Sequence, residues 1–159
     1  MIITELWIPG RPVTKGSLTR VGGALRDTPQ SKAWRRIMAG AIRDDLRRRR
    51  QRDPELLLPA YAGPVHVYAV WFLPVDPLAH GAGDLDKLLR NLLDALSAPS
   101  QRTTDRSLCA GAIVDDNQVQ HVYSRKIGPN VDPGVLVNVS AHSADTYGSD
   151  VAHRARLTA

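Results

Sequence analysis

Cysteine is nearly missing from this chain: Cys109 is the only one in 159 residues. That excludes an internal disulfide and a cysteine-built zinc site, and it leaves Cys109 as a small buried or half-buried side chain. Long apolar runs are missing too. Nothing approaches the ~18 consecutive apolar residues of a membrane span, and the opening MIITELWIPG lacks the basic start and apolar core of a signal peptide. The expectation is a soluble cytoplasmic protein with no membrane partner. His66, His80, His121, His142 and His153 show neither H-x-x-x-H nor H-E-x-x-H spacing, so no histidine-bound zinc is expected. The short GAGD stretch lacks the strand-then-helix context of G-x-G-x-x-G, so no nucleotide cofactor is expected either. There is no internal repeat.

Acids are the minority charge. Sixteen Asp+Glu stand against twenty-one Lys+Arg, giving a net charge of +5 and a pI near 9.8. Such a balance points to a polyanionic partner, nucleic acid first. A hydrophobic fraction of 43% suits a globular chain of one domain. Residues 1–140 read as that domain and 141–159 as a loosely ordered polar tail.

Within the domain, IITELWI alternates in part and predicts a strand closed by Pro9-Gly10. GRPVTKGSLTRVGGALRDTP reads as a basic, glycine-rich loop. Trp34, Ile37, Met38, Ala41, Ile42 and Leu46 recur at helical spacing, with Thr28 and Ser31 as candidate N-caps and fraying expected in RRRRQRDP. PVHVYAVWF is the clearest strand. A second helix places Leu85, Leu88, Leu89, Leu92 and Leu96 on a buried stripe opposite Asp86, Lys87, Arg90, Asn91 and Asp94. SAPSQRTTDRS is a polar connection. Two strands around Asp115-Asp116-Asn117 suggest a hairpin, and GVLVNVS a last strand. The order β-α-β-α-β-β-β describes an α/β (α+β) fold, a mixed sheet with two main helices. Trp7, Trp34 and Trp71 sit in apolar patterns and read as core or interface.

Two acidic spots interrupt this basic chain. In GDLDKLLRNLLDAL, Asp84 falls where the second helix begins and Asp86 lies in its first turn; in AIVDDNQVQ, Asp115 and Asp116 break an apolar run. Each has a structural explanation, since aspartate caps helices and populates turns. Together they have another. Carboxylates gathered in one place raise one another's pKa, and a hard divalent cation such as Mg2+ relieves that cost. Such an ion activates water and neutralises phosphate charge. Arg90 stands four residues after Asp86, placed either for a surface ion pair or for a phosphate. Asp94 would support the helix's polar face or Arg90. The basic loop with Arg11, Lys15, Arg20 and Arg26, and KAWRR after it, would contact phosphates.

These segments resemble the RusA-type Holliday junction resolvases, whose pattern is D-x-D-N, a basic residue four after the second Asp, D-A-L, then D-D-x-Q-V. IPGRPVTKGSLTR is similar to that family's G-x-P-x-x-K loop and DTPQSKAWRRIM to its first helix, so the resemblance spans roughly residues 2–140. It implies an intertwined homodimer that nicks four-way DNA junctions in pairs, using Mg2+ with Mn2+ able to substitute. It places Asp84, Asp86 and Asp116 as metal ligands and catalytic acids, with Asp115 beside them. Arg90 takes the place of a catalytic lysine. Lys15, Arg20, Lys87 and Lys126 are the expected DNA contacts. Guanidinium can stabilise charge where an ammonium did but cannot transfer its proton. Two alternatives therefore stand beside the resolvase reading: a branched-DNA-binding protein that does not cut, and a nuclease acting on flaps or forks.

Overall fold

The structure, a computed structural model, describes residues 1–15, 19–21, 24–53, 60–79, 82–101 and 103–142, with backbone alone at 19–21 and 24–26. The Arg20 and Arg26 side chains, His80 and the tail from residue 143 onward lie outside the described residues.

Four strands form one mixed sheet: β1 (Ile2–Pro9), β4 (Val65–Phe72), β5 (Val119–Ile127) and β6 (Gly134–Ala141), in the order β1-β6-β4-β5. β4 and β5 run parallel, while β6 is antiparallel to both β1 and β4. A separate hairpin, β2 (Thr19–Val21) and β3 (Ala24–Arg26), lies where the sequence predicts only a loop. The expected mixed sheet with two main helices is present.

Helix α1 (Pro29–Arg52) starts as its sequence dictates. Thr28 accepts a hydrogen bond from the Ser31 N–H at 3.2 Å, and Pro29 occupies the first helical turn, where its missing N–H costs nothing. The helix runs through Arg52 and is capped at Asp53, ending before Pro54. Arg47 pairs with Asp44 at 3.0 Å and Arg49 with Asp45 at 2.7 Å, and cations in a last turn also suit the helix dipole. Asp45 further accepts from Thr4 Oγ1 at 2.8 Å, tying α1 to β1.

Helix α2 (Leu85–Leu96) buries Leu88, Leu92, Ala95 and Leu96. Asn91, expected on the polar face, is fully buried. Its amide donates to the Val13 carbonyl at 2.9 Å and its oxygen accepts from Arg35 Nε at 2.8 Å. With a partner at each end, hydrogen bonds offset the desolvation cost of burying the amide.

One face of the sheet, with Val65, Val67, Ala69 and Trp71 of β4 and Val135, Val137 and Val139 of β6, is buried in the core with Trp34, Met38 and Ile42 of α1. The other face is open: Trp7, Tyr68, Tyr123 and Leu136 are 37–49% exposed. Trp7 meets Phe72 edge-on at 5.1 Å, and Tyr68 stacks on Tyr123 at 4.8 Å. Trp34 and Trp71 are core residues, as their patterns predict. Among the described residues no helix is long and apolar enough to cross a membrane.

The expected hairpin at Asp115–Asn117 is not there. Residues 110–114 form no strand; Ile113 makes single bridges to Tyr61 and Ser97. A one-turn 3-10 helix, Asp116–Gln118, then leads directly into β5. Strand β6 continues to Ala141, which pairs with Val65.

Candidate functional site

Gly83 sets up the start of α2. Its φ of +77° is left-handed, and a Cβ there would stand 2.5 Å from the Thr14 methyl, so only glycine fits. Asp84 holds the N-cap position but makes no side-chain cap bond. Its carboxylate instead meets Lys87 Nζ at 2.5 Å, which holds the Asp84 carboxyl below its usual range and the Lys87 ammonium above its own. Lys126 Nζ donates to the Gly83 carbonyl at 2.9 Å and adds a weaker positive influence on Asp84. Asp86 and Arg90 are both exposed. Among the described residues they form no ion pair with each other; the pairing on this stretch is Asp84 with Lys87.

The other end of α2 holds a denser arrangement. Asp94 pairs with Lys15 and lies 3.3 Å from an Arg35 nitrogen. Arg35, expected to reach DNA from the KAWRR segment, is 8% exposed and spent on Asn91, Asp94 and Asp27, the last at 2.7 Å. Arg36, its neighbour, is exposed and pairs with Asp105 at 2.8 Å. The GRPVTK loop is pinned to α2 by the Lys15–Asp94 pair, by Asn91 at Val13 and by the Lys15 N–H on the Lys87 carbonyl at 3.0 Å.

The V-D-D-N-Q segment explains itself locally. Asp115 accepts from the Asn117 N–H at 2.9 Å, and Gln118 accepts from the Asp115 N–H at 2.8 Å, a capping box. The Gln118 amide also donates to the Tyr61 and Gly63 carbonyls at 2.9 and 2.6 Å. Asp115 and Gln118 are thus builders of the turn. Asp116 is what the turn presents. Asp116 is exposed at the cavity rim, and its carboxyl is pushed up by partial loss of hydration there, then by the charges of Asp115 and Asp94. Asp94, Asp115 and Asp116 line one cavity of about 320 Å³ together with Lys15, Arg35 and Cys109. Burial raises the Cys109 thiol as well.

Of the expected metal ligands, Asp116 therefore sits with Asp94 and Asp115, while Asp84 and Asp86 lie at the opposite end of α2. Ten residues separate Asp84 from Asp94, and at ~1.5 Å rise per residue that is ~15 Å. Helix α2 starts beside Lys126, late in β5, and reaches Asp116, just before β5, near its end. Lys15 is at the carboxylate cavity; Lys87 and Lys126 are at the Asp84 end.

Three residues set aside on spacing grounds do converge. His66, His121 and His142 place one ligand nitrogen each within 4.8 Å of the others, the group of this kind found among the described residues. Linear spacing hides them because His66 comes from β4, His121 from β5 and His142 from the residue just past β6. The signal was their position near the ends of three strands that the sheet makes neighbours.

Compared with known proteins, the chain matches no family model and no curated protein. Its chemistry is therefore argued from this geometry.

Proposed function

We propose that the chain is a magnesium-dependent, structure-selective endodeoxyribonuclease that acts as a homodimer on four-way DNA junctions. The observation that carries this reading is the grouping of the Asp94, Asp115 and Asp116 carboxylates around one cavity, with the exposed Asp116 carboxyl held above its usual range beside the other two. Lys15 and Arg35 balance Asp94, and a divalent cation would offset the mutual repulsion of the adjacent Asp115 and Asp116.

The donor set fits a hard divalent ion: Asp94, Asp115 and Asp116 offer carboxylate oxygens, and the cavity leaves room for waters and a phosphate oxygen. Bound there, Mg2+ supplies activated water and charge neutralisation at the scissile phosphate. Asp116 is the principal ligand and Asp94 its partner across the cavity, with Asp115 holding the turn. Lys15 and Arg35 keep Asp94 oriented. Arg90 lies on α2 four residues before Asp94 and steadies the phosphate through charge alone. At the far end of the same helix Lys87, with Lys126 of β5 beside it, contacts a second stretch of DNA backbone, and Asp84 and Asp86 offer oxygens to a second ion. The net charge of +5 favours DNA over neutral ligands. The open sheet face carrying Trp7, Tyr68, Tyr123 and Leu136 supports a second copy of the chain as partner. Two copies present two centres to the two symmetric strands of a junction. The resemblance of GDLDKLLRNLLDAL and AIVDDNQVQ to the resolvase motifs supports the same substrate.

A second reading is a branched-DNA-binding protein that does not cut. It draws on Arg90 at the position of the resembled lysine and on Lys87, whose ammonium is engaged by Asp84.

Both readings meet in one experiment. A labelled four-way junction is incubated with the protein in Mg2+ for nicking, and in Ca2+ for gel-shift binding. The nuclease reading expects paired nicks that Asp116→Asn abolishes while binding persists. Binding without nicking on junctions, flaps and forks would support the second reading, and neither binding nor nicking would reject both.

A further inference from the structure

We propose that His66, His121 and His142 form a site for a nitrogen-preferring transition-metal ion, zinc first, separate from the carboxylate cavity. His66 is the second residue of β4 and lies directly across from His121 on β5. On the other side of β4, His66 faces Ser140 of β6. His142, two residues beyond Ser140, returns to the same sheet face, and its N–H donates to the Pro64 carbonyl at 2.8 Å. Two neighbouring strands and the residue just past a third thus deliver three imidazoles to one end of the open face.

The rings already crowd together. Ring centroids lie 4.8 Å apart for His66 and His121, 4.3 Å for His66 and His142, and 5.5 Å for His121 and His142. His66 Nε2 and His142 Nδ1 point at one another. Zinc–nitrogen bonds of ~2.0–2.1 Å put tetrahedral ligand nitrogens ~3.4 Å apart. All three lie within 4.8 Å of one another, close to the spacing that one shared ion would require. Imidazole suits zinc, copper and nickel, whereas Mg2+ takes oxygen. Three protein ligands leave a fourth position for water or a phosphate oxygen. His121 is exposed, so an ion reaches the site from solvent. An ion there cross-links β4, β5 and β6 and is expected to raise the thermal midpoint of the whole domain.

The test uses the metal-free full-length chain, titrated with Zn2+ by calorimetry and with Co2+ by visible absorption. One ion per chain is expected, with the absorption of four-coordinate Co2+ and its displacement by Zn2+. Exposed His121→Asn is expected to weaken binding at least ~10-fold, since losing even an outer-sphere partner of a ligand costs that much. The His66→Asn/His121→Asn/His142→Asn variant should lose the site, and a His80→Asn/His153→Asn control should keep it. Asp116→Asn should bind Zn2+ as the parent does, so this result stands or falls apart from the nuclease reading. Absence of Zn2+ binding, binding unchanged in the triple variant or in His121→Asn, or its loss in the control would overturn the proposal.

Discussion

Replacing Gln118 with alanine probes the turn that presents Asp116. The Gln118 side chain makes three hydrogen bonds, to the Asp115 N–H at 2.8 Å and to the Tyr61 and Gly63 carbonyls at 2.9 and 2.6 Å. Each contributes about 0.5–1.5 kcal/mol net. Water replaces part of this at the half-buried site, so Gln118→Ala is expected to cost about 2 kcal/mol. For a domain of this size that lowers the thermal midpoint by about 4–8 °C, read by circular dichroism. Nicking of a four-way junction should fall further than this loss of stability explains, because the segment carrying Asp116 is released from residues 61–63. Gln118→Glu keeps the acceptor for Asp115 but loses both donors and adds a third acid to the turn, so its midpoint should also fall. A Gln118→Ala midpoint within 1 °C of the parent, outside the ~4–8 °C expected of the lost bonds, would refute this account of the turn.

Three further outcomes follow from the same geometry. Burial pushes the Asp45 carboxyl up, but hydrogen bonds from Arg49, Thr4 and the Glu5 N–H outweigh it and hold the group below 3.8; this stabilisation is present above 3.8 and lost as pH falls through the folded value. Asp45→Asn is therefore expected to cost about 2–3 kcal/mol near neutral pH, by urea unfolding, and the gap to the parent should close in acid. Asp116 has the opposite sign: its raised folded pKa means that ionisation weakens the fold, so Asp116→Asn should raise the metal-free midpoint at neutral pH, with the gain vanishing below 3.8 where both states are protonated. The proposed dimer is expected to form through the open sheet face, so the parent should sediment as a dimer and Tyr123→Arg as a monomer with unchanged circular dichroism; a monomeric parent would reject the dimer, and an unaltered dimer would reject this interface.

What the sequence revealed followed the strength of its periodicity. PVHVYAVWF and the leucine stripe of α2 became the expected strand and helix because burial on one face leaves few alternatives. Asn91 escaped because polarity alone placed it outside, whereas its position on the helix faces Val13 and Arg35, which satisfy it. The Asp-Asp-Asn run has hairpin composition, yet the Asp115–Gln118 spacing is also that of a capping box, and the structure uses the latter. Gly22-Gly23 between Arg20-Val21 and Ala24-Leu25 is a two-residue turn signal that the reading as a loop passed over. For the site, sequence brought out the acids but not their grouping. Asp94 joins Asp116 only because α2 starts beside Lys126, late in β5, and runs toward the turn where β5 begins. The histidines were invisible to linear spacing for the same reason, since sheet neighbours are set by topology.

The Asp116 cavity is proposed to hold the catalytic ion, and crystals grown with Mn2+, which reports its position by anomalous scattering, decide whether it does. An anomalous peak is expected within bonding distance of an Asp116 oxygen and of Asp94 or Asp115. A cavity without such a peak, while Mn2+ is bound at Asp84 and Asp86 alone, would contradict it.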